Sequence, residues 1–222
     1  MVGPPLEEVP GPIEVRVPLM AEPVERLLEA TADPDPLVQF GRWFDDAAQV
    51  MASPEAMVVA SADAEGRPSA RMVLLKSWGE EGFVFHTNYE SRKGVELAGN
   101  PHAALLFHWE PTGRQVRIEG RVERTGDRES DEYFATRPRG GQIAAHASHQ
   151  SRAIGSRGLL DAGVAALEAE YSGRDVPRPA WWGGLRVSPQ VFEFWQNRPD
   201  RLHDRLRYTP SGRGWEITRL QP

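Results

Sequence analysis

The chain has 222 residues, 40% apolar and 26% charged, enough to bury one substantial core with appendages, and this excludes wholesale disorder. It holds no cysteine, which excludes disulfides, thiolate catalysis and Cys-ligated metals; it shows neither a run of about 18 apolar residues nor a basic-then-apolar leader, so a membrane span is not expected and the cytoplasm is the default compartment. The net charge is -6 with no basic tract, which disfavours nucleic acid as a partner, while residues 195–222 carry 6 Arg against 3 acids and point to a small anion.

Eight of the 19 prolines fall within residues 1–36, so residues 1–22 read as a mobile tail ahead of a single domain over 23–222. A short helix is predicted over Pro23 to Glu29. Behind Asp35 as N-cap, the apolar positions Leu37, Phe40, Phe44, Ala47 and Met51 recur at helical spacing and predict an amphipathic helix from Pro36 to about Val50. The period then changes to that of strands, at Ala56 to Ala60, Arg71 to Leu75, Phe83 to His86, Ala103 to His108 and Gln115 to Glu123, with turns at 64–66, 79–82 and 111–113. Tight turns between consecutive strands imply an antiparallel meander. Helices are predicted over Arg92 to Ala98, with Ser91 as N-cap, over Arg128 to Ala135 and over Leu159 to Tyr171. Four more strands follow, at Leu185 to Val187, Val191 to Trp195, Leu202 to Tyr208 and Gly214 to Arg219. The sum is a mainly β fold with peripheral helices, a closed or split antiparallel barrel.

Of the 26 basic residues only Lys76 and Lys93 are lysine. Ser91-Arg-Lys-Gly94 places two cations at a helix N-terminus, where they oppose the helix dipole unless an anion compensates them; a solvated first turn is the alternative. If 201–205 is a strand, Arg201, His203 and Arg205 share one face, either as a site for an anion or electron-rich ring or as a charged edge that blocks aggregation. Arg71 and Lys76 bracket an apolar strand with opposite parity, so a regular strand sends them to opposite faces. Tyr133 and Arg137, four apart, share a helix face and suit a phosphate, or form an ordinary helical pair. His146 and His149 have no carboxylate near them in sequence, and no metal is expected. Trp181, Trp182 and Trp195 offer planar faces for a heteroaromatic ligand, or simply core. No dinucleotide fingerprint, P-loop or Gly-x-Ser-x-Gly elbow occurs.

Taken in order, Arg71-Met-Val-Leu-Leu-Lys76, Ser91-Arg-Lys-Gly94, Gly113-Arg-Gln-Val116, Tyr133-Phe-Ala-Thr-Arg-Pro-Arg139, Gln150-Ser151, Phe192-Glu-Phe-Trp195, Arg201-Leu-His-Asp-Arg205 and 215–222 resemble the pyridoxine/pyridoxamine 5'-phosphate oxidase family from Pro36 to the end. The resemblance implies an FMN-binding split barrel and a homodimer with FMN at the subunit interface. It implies oxidation of pyridoxine or pyridoxamine 5'-phosphate to pyridoxal 5'-phosphate, with oxygen as acceptor and hydrogen peroxide as product. On this basis FMN contacts fall on Arg71, Met72, Val73, Leu74, Leu75, Lys76, His86, Thr87, Arg92, Lys93, Gln115, Gln150, Ser151, Trp195 and Arg205. Lys76, Tyr133 and Arg137 grip the substrate phosphate, and Arg201 and His203 cover the reacting face of its ring as the catalytic pair.

Three departures from the family pattern fall on what the resemblance makes the substrate side. The stretch before Pro36 has no Tyr, Gly141 replaces a serine, and Ala144-Ala-His-Ala-Ser148 carries His146 where a Trp is usual. They keep open a related FMN oxidase of secondary metabolism, of the phenazine-biosynthesis type, acting on a reduced tricyclic substrate. A non-catalytic flavin carrier is a third reading, which the presence of Arg201 and His203 disfavours.

Overall fold

The computed structural model describes residues 26–222. Nine strands form one antiparallel sheet: β1 (Ala56–Ala62), β2 (Pro68–Leu74), β3 (Ser77–Gly79), β4 (Gly82–Asn88), β5 (His102–Trp109), β6 (Arg114–Arg124), β7 (Trp182–Gln196), β8 (Asp204–Ser211) and β9 (Gly214–Arg219). The order is β2-β1-β5-β6-β7-β4-β3, with β8 and β9 added beside β7. β2 and β3 stand at opposite ends of that order yet follow one another in the chain, separated only by Leu75 and Lys76. The Lys76 N–H donates to the Val84 carbonyl of β4 at 2.8 Å, so the sheet curls round and the expected split barrel is present.

Strand alternation fills the interior: Met57 and Val59 from β1, Leu105 and Phe107 from β5, Val116 and Ile118 from β6 are fully buried. Helix α1 (Pro36–Val50) begins where Asp35 accepts a hydrogen bond from the Leu37 N–H, and it buries Phe40, Trp43 and Ala47. Phe40 meets Phe83 and Phe107 edge-on, each at 5.0 Å, and Trp43 meets Phe194 at 5.2 Å. Each such ring contributes roughly 1.5–3 kcal/mol of burial, so α1 is a plug bound by its aromatic face.

Four sequence expectations change. β4 pairs with β7 and not with β5, and β1 lies between β2 and β5, so the sheet is not a simple meander. The two strands predicted within 185–195 are one strand of 15 residues, β7, pairing with β6 along one edge and with β4 and then β8 along the other. Pro189 is accommodated within it because the β6–β7 register shifts between Glu119 and Gly120, and a bulge tolerates a missing N–H. The predicted helix over Pro23–Glu29 begins outside the described residues; from Arg26 to Leu28 no regular structure forms, and a turn follows in which Ala32 N–H bonds the Leu28 carbonyl. The tail over 1–22 lies outside the described residues. β8 starts at Asp204, because Pro199–Arg201 forms a short 3-10 turn with Asp200 and Arg201 at positive φ; Arg201 and His203 therefore do not share a strand face with Arg205.

Helices α2 (Arg92–Gly99), α3 (Asp127–Thr136), α4 (Arg139–Ala147) and α5 (Arg157–Glu170) lie outside the barrel. α4 was not anticipated, since Gly140 and Gly141 in its first turn depress helix propensity. Its Ile143 and Ala145 supply the compensating contacts, packing with Phe134 and Trp182 in a second apolar cluster. Among the described residues no helix is long and apolar enough to cross a membrane.

Candidate active site

A cleft of about 500 Å³ opens between the barrel and its outer helices. Its floor is the exposed side of β2, Met72 and Leu74, which leads into Lys76; one wall is His86, Thr87 and Asn88 of β4 with Lys93 of α2. Trp182 of β7, cross-strand from Asn88, and Gln150, bonded to Lys93, adjoin that wall, and Tyr133 and Arg137 at the end of α3, Ala144 and Ala145 of α4, and Ser148 just beyond it complete the lining. In a protein of net charge -6, this lining has, among the described residues, three cations and no carboxylate. The imbalance gives the cleft a positive potential.

Lys93 does not lie on a solvated first turn. Its Nζ donates to Gln150 Oε1 at 2.7 Å, to Thr87 Oγ1 at 3.0 Å and to Ser91 Oγ at 3.3 Å, and the side chain is buried. All three acceptors are neutral. Burial, with Arg71 nearby, pulls the ammonium down to about 8, so the charged form lacks the anion that would stabilise it. The side chain points inward because the N-cap Ser91 accepts from the Gly94 N–H while its own hydroxyl donates to the Asn88 carbonyl at 2.6 Å. At Gly94 an added Cβ meets the Tyr89 carbonyl oxygen at 2.2 Å, a contact only glycine avoids. Gly94→Ala is expected to cost about 1–3 kcal/mol and to loosen the Lys93 contacts. A thermal-unfolding midpoint equal to that of the parent protein would show that the close approach carries no energetic weight.

Arg71 and Lys76 do go to opposite faces, as their parity required. Lys76 faces the cleft; Arg71 turns beneath the sheet to Ser61 at 2.5 Å, to Ser69 and to Glu96 at 3.2 Å. Glu96 also receives Arg92 at 2.7 Å, and it is the residue that sequence reasoning missed, although the i,i+4 spacing of Arg92 and Glu96 was legible. Burial raises the Glu96 carboxyl, but hydrogen bonds from Ser61, Ser69, Arg92 and Arg71 outweigh it and hold the group at about 2. Arg71 and Arg92 are thus tied to Glu96 and do not line the cleft. Leu75 is core, and Ser151, exposed at a φ of 72°, is also outside it.

In the cleft lining, Tyr133, His86 and Trp182 stack: His86 is 3.9 Å from Tyr133 and 5.2 Å from Trp182, each at 17°. The Arg137 guanidinium lies over Trp182 at 4.5 Å. An added Cβ at Gly141 sits 3.3 Å from Arg137 Nη2, so the glycine gives this guanidinium room. His146 does not enter the cleft lining. It bonds the Pro177 carbonyl at 2.7 Å and packs near Tyr171 and Trp181, a scaffold role away from the position the sequence departure suggested.

The remaining expected residues gather elsewhere. Gln115, Trp195 and Arg205 border a separate hollow of about 220 Å³, with Arg205 held by Glu193 at 2.7 Å and by the Gln221 carbonyl at 2.9 Å. His203 rests on Trp195 with ring centroids 4.5 Å apart, and its Nδ1 accepts from the Arg198 N–H at 3.2 Å, so the neutral ring carries its proton on Nε2. Burial, then Arg201 and Arg205, lowers the basicity of His203. A third hollow of about 590 Å³ shares Met72 with the cleft and Leu106 and Gln115 with the second group, making one trough across the outer face of β2, β1, β5 and β6.

Comparison with known proteins adds three findings. The profile of the pyridoxamine 5'-phosphate oxidase family matches residues 44–170, and that of the pyridoxine 5'-phosphate oxidase C-terminal dimerisation region matches residues 182–222. The chain is 56% identical over 197 residues to a pyridoxine/pyridoxamine 5'-phosphate oxidase of Rubrobacter xylanophilus, covering 88% of this chain and 91% of the relative, and 57% identical over 198 residues to that of Burkholderia vietnamiensis, covering 87% and 92%. Among solved structures, PhzG from Burkholderia lata 383 in complex with tetrahydrophenazine-1-carboxylic acid aligns with a TM-score of 0.82 at 35% identity over 90% of this chain and 99% of that one. A pyridoxamine 5'-phosphate oxidase-related, FMN-binding protein of Nostoc punctiforme shares the fold, with a TM-score of 0.66 at 15% identity over 84% of this chain and 97% of that one.

Proposed function

This chain belongs to the pyridoxine/pyridoxamine 5'-phosphate oxidase family, and on that premise we propose that it oxidises pyridoxine or pyridoxamine 5'-phosphate to pyridoxal 5'-phosphate, with FMN as cofactor, oxygen as acceptor and hydrogen peroxide as product. The observation that carries this reading is the cleft with three cations and no carboxylate among the described residues, in which Lys93 bonds Thr87 and Gln150 while Lys76 and Arg137 both act on His86. A cofactor and a substrate that each bear a phosphate match two such groups. We read residues 23–222 as one FMN-binding domain of a cytoplasmic homodimer.

The residues present fit FMN. Lys93, Thr87 and Gln150 would hold its phosphate, supplying the anion that a buried ammonium with only neutral partners lacks, and the exposed Met72 and Leu74 would face its ring. When bound, FMN supplies the two-electron acceptor that no side chain of this protein offers. The protein's part is position. Lys76, Tyr133 and Arg137 bind the substrate phosphate, and this remote binding energy orients the reacting carbon. Arg201 and His203 lie with Gln115, Trp195 and Arg205, outside the cleft of their own chain, so in this reading they reach the cleft of a second copy and lie over the substrate ring. The match of residues 182–222 to a dimerisation region supports that arrangement.

The likeness to PhzG favours one alternative, a reduced tricyclic acid as substrate, since a carboxylate also suits Arg137. Anaerobic mixing of the FMN-loaded protein with pyridoxine 5'-phosphate separates the two. Bleaching of the flavin's visible absorbance that recovers on admitting oxygen is expected. A yellow protein that only the tricyclic acid bleaches would overturn the vitamin assignment and keep the oxidase.

A further inference from the structure

Three buried side-chain nitrogens have no hydrogen-bond partner among the described residues: His86 Nδ1, His86 Nε2 and Arg137 Nη1. Both residues line the cleft. They cannot satisfy one another. A neutral imidazole has one N–H and one lone pair and Arg137 Nη1 has two N–H groups, so even a hydrogen bond from Arg137 to His86 leaves one donor on each without an acceptor. A buried donor left this way is destabilising, and an acceptor with several lone pairs would satisfy both.

We propose that His86 is a proton-coupled partner of the substrate's phosphate, neutral in the ligand-free enzyme and protonated once a dianion is seated with Lys76 and Arg137. The proposal rests on the phosphorylated-substrate reading above and adds a residue to it. The charged groups acting on His86 are both cationic, Arg137 from the end of α3 and Lys76 from the link between β2 and β3. The other neighbours are Tyr133 of α3, Trp182 of β7, and Gly184, its cross-strand partner on β7; none carries a carboxylate. Burial first, then these two cations, pulls the imidazole down to about 4. A phosphate dianion cancels both positive charges and offers acceptors to the orphaned nitrogens, which reverses the balance. The new imidazolium also stacks on the face of Tyr133, 3.9 Å away and nearly parallel, where a cation is stabilised. The proton comes from solvent.

The sign follows. Binding raises the His86 pKa from about 4, so a proton is taken up on binding at any pH between that value and the bound-state pKa. Affinity for the dianion strengthens as pH falls through the bound-state pKa, by up to about tenfold per pH unit. The test uses FMN-loaded enzyme and 4-deoxypyridoxine 5'-phosphate, which lacks the oxidisable 4' oxygen, titrated calorimetrically at pH 7 in buffers of different ionisation enthalpy. The parent enzyme is expected to take up about half to one proton more per site than His86→Gln, the ligand's own phosphate contributing equally to both. Imidazole ¹⁵N shifts of the parent enzyme, which need no variant, are expected to show the His86 titration moving up from about 4 by about three units or more on adding the analogue, the rise that uptake of half a proton at pH 7 requires. Equal proton counts, or an unmoved His86 titration with the analogue bound, would overturn the proposal. Absence of binding heat in the parent enzyme would overturn the substrate reading, and the proposal with it.

Discussion

Arg137→Ala is expected to lower kcat/KM for pyridoxine 5'-phosphate by about a hundredfold or more while leaving FMN bound. The guanidinium is held over Trp182 and against the bare backbone of Gly141, with Nη1 buried and unpartnered. A charge-assisted, two-pronged contact to phosphate of this kind is worth about 3 kcal/mol. Because the phosphate is remote from the reacting carbon, most of the loss is expected in KM, with a smaller fall in kcat from poorer alignment. Arg137→Lys restores charge without the planar fork and is expected to recover only part of the loss. FMN retention follows from the separate placement of Lys93, Thr87 and Gln150. Steady-state kinetics with the flavin absorbance as a loading control decide the matter. An unchanged KM would put the substrate's phosphate elsewhere, and a colourless protein would join the two anion sites into one.

Mixing two inactive variants is expected to restore activity. Arg137 lies in the cleft; Arg201 belongs to the group across the trough. If each active site takes its cleft from one chain and Arg201 with His203 from the other, every heterodimer of Arg137→Ala and Arg201→Ala has one doubly damaged site and one intact site. Random pairing at equal amounts makes half the dimers mixed, so activity should climb from near zero to about a quarter of the parent level. Co-expression with two affinity tags isolates the mixed species, which should reach about half. No recovery in the isolated heterodimer would place Arg201 in the site of its own chain and remove the basis for a shared site. Arg201→Ala alone is expected to retain FMN, since Lys93 and its partners are untouched.

Much of the fold is legible in the sequence. Binary pattern located eight of the nine strands to within a few residues because half-buried strands must alternate, and Asp35, Ser91 and the Pro36 start marked helix ends through their capping chemistry. The misses have physical causes. β3 is three residues long and too short to carry a pattern, while α4 is set by what Ile143 and Ala145 touch, against the propensity of its two glycines. The unity of β7 across Pro189 depends on a bulge that only its partner strand reveals. The parity of Arg71 and Lys76 was correctly readable, yet Glu96 as the destination of Arg71 was not, because the two meet across 25 residues of chain.

By itself, then, the sequence determined residue chemistry and local order: a cysteine-free, mainly β chain, two rare lysines, and the cation-bearing segments in their family order. Those are properties of residue identity and near-neighbour spacing. Tertiary structure decided which of the cations face one another. Lys93 became a buried ammonium through the approach of Gly94 to Tyr89, His86 lost its proton affinity to burial and to cations brought from two other elements, and Arg71 was drawn away to a buried carboxylate. It also divided the expected site residues between a cleft and a second face. Such outcomes turn on distances across the fold, where Coulomb attraction and desolvation act between residues that the chain keeps far apart.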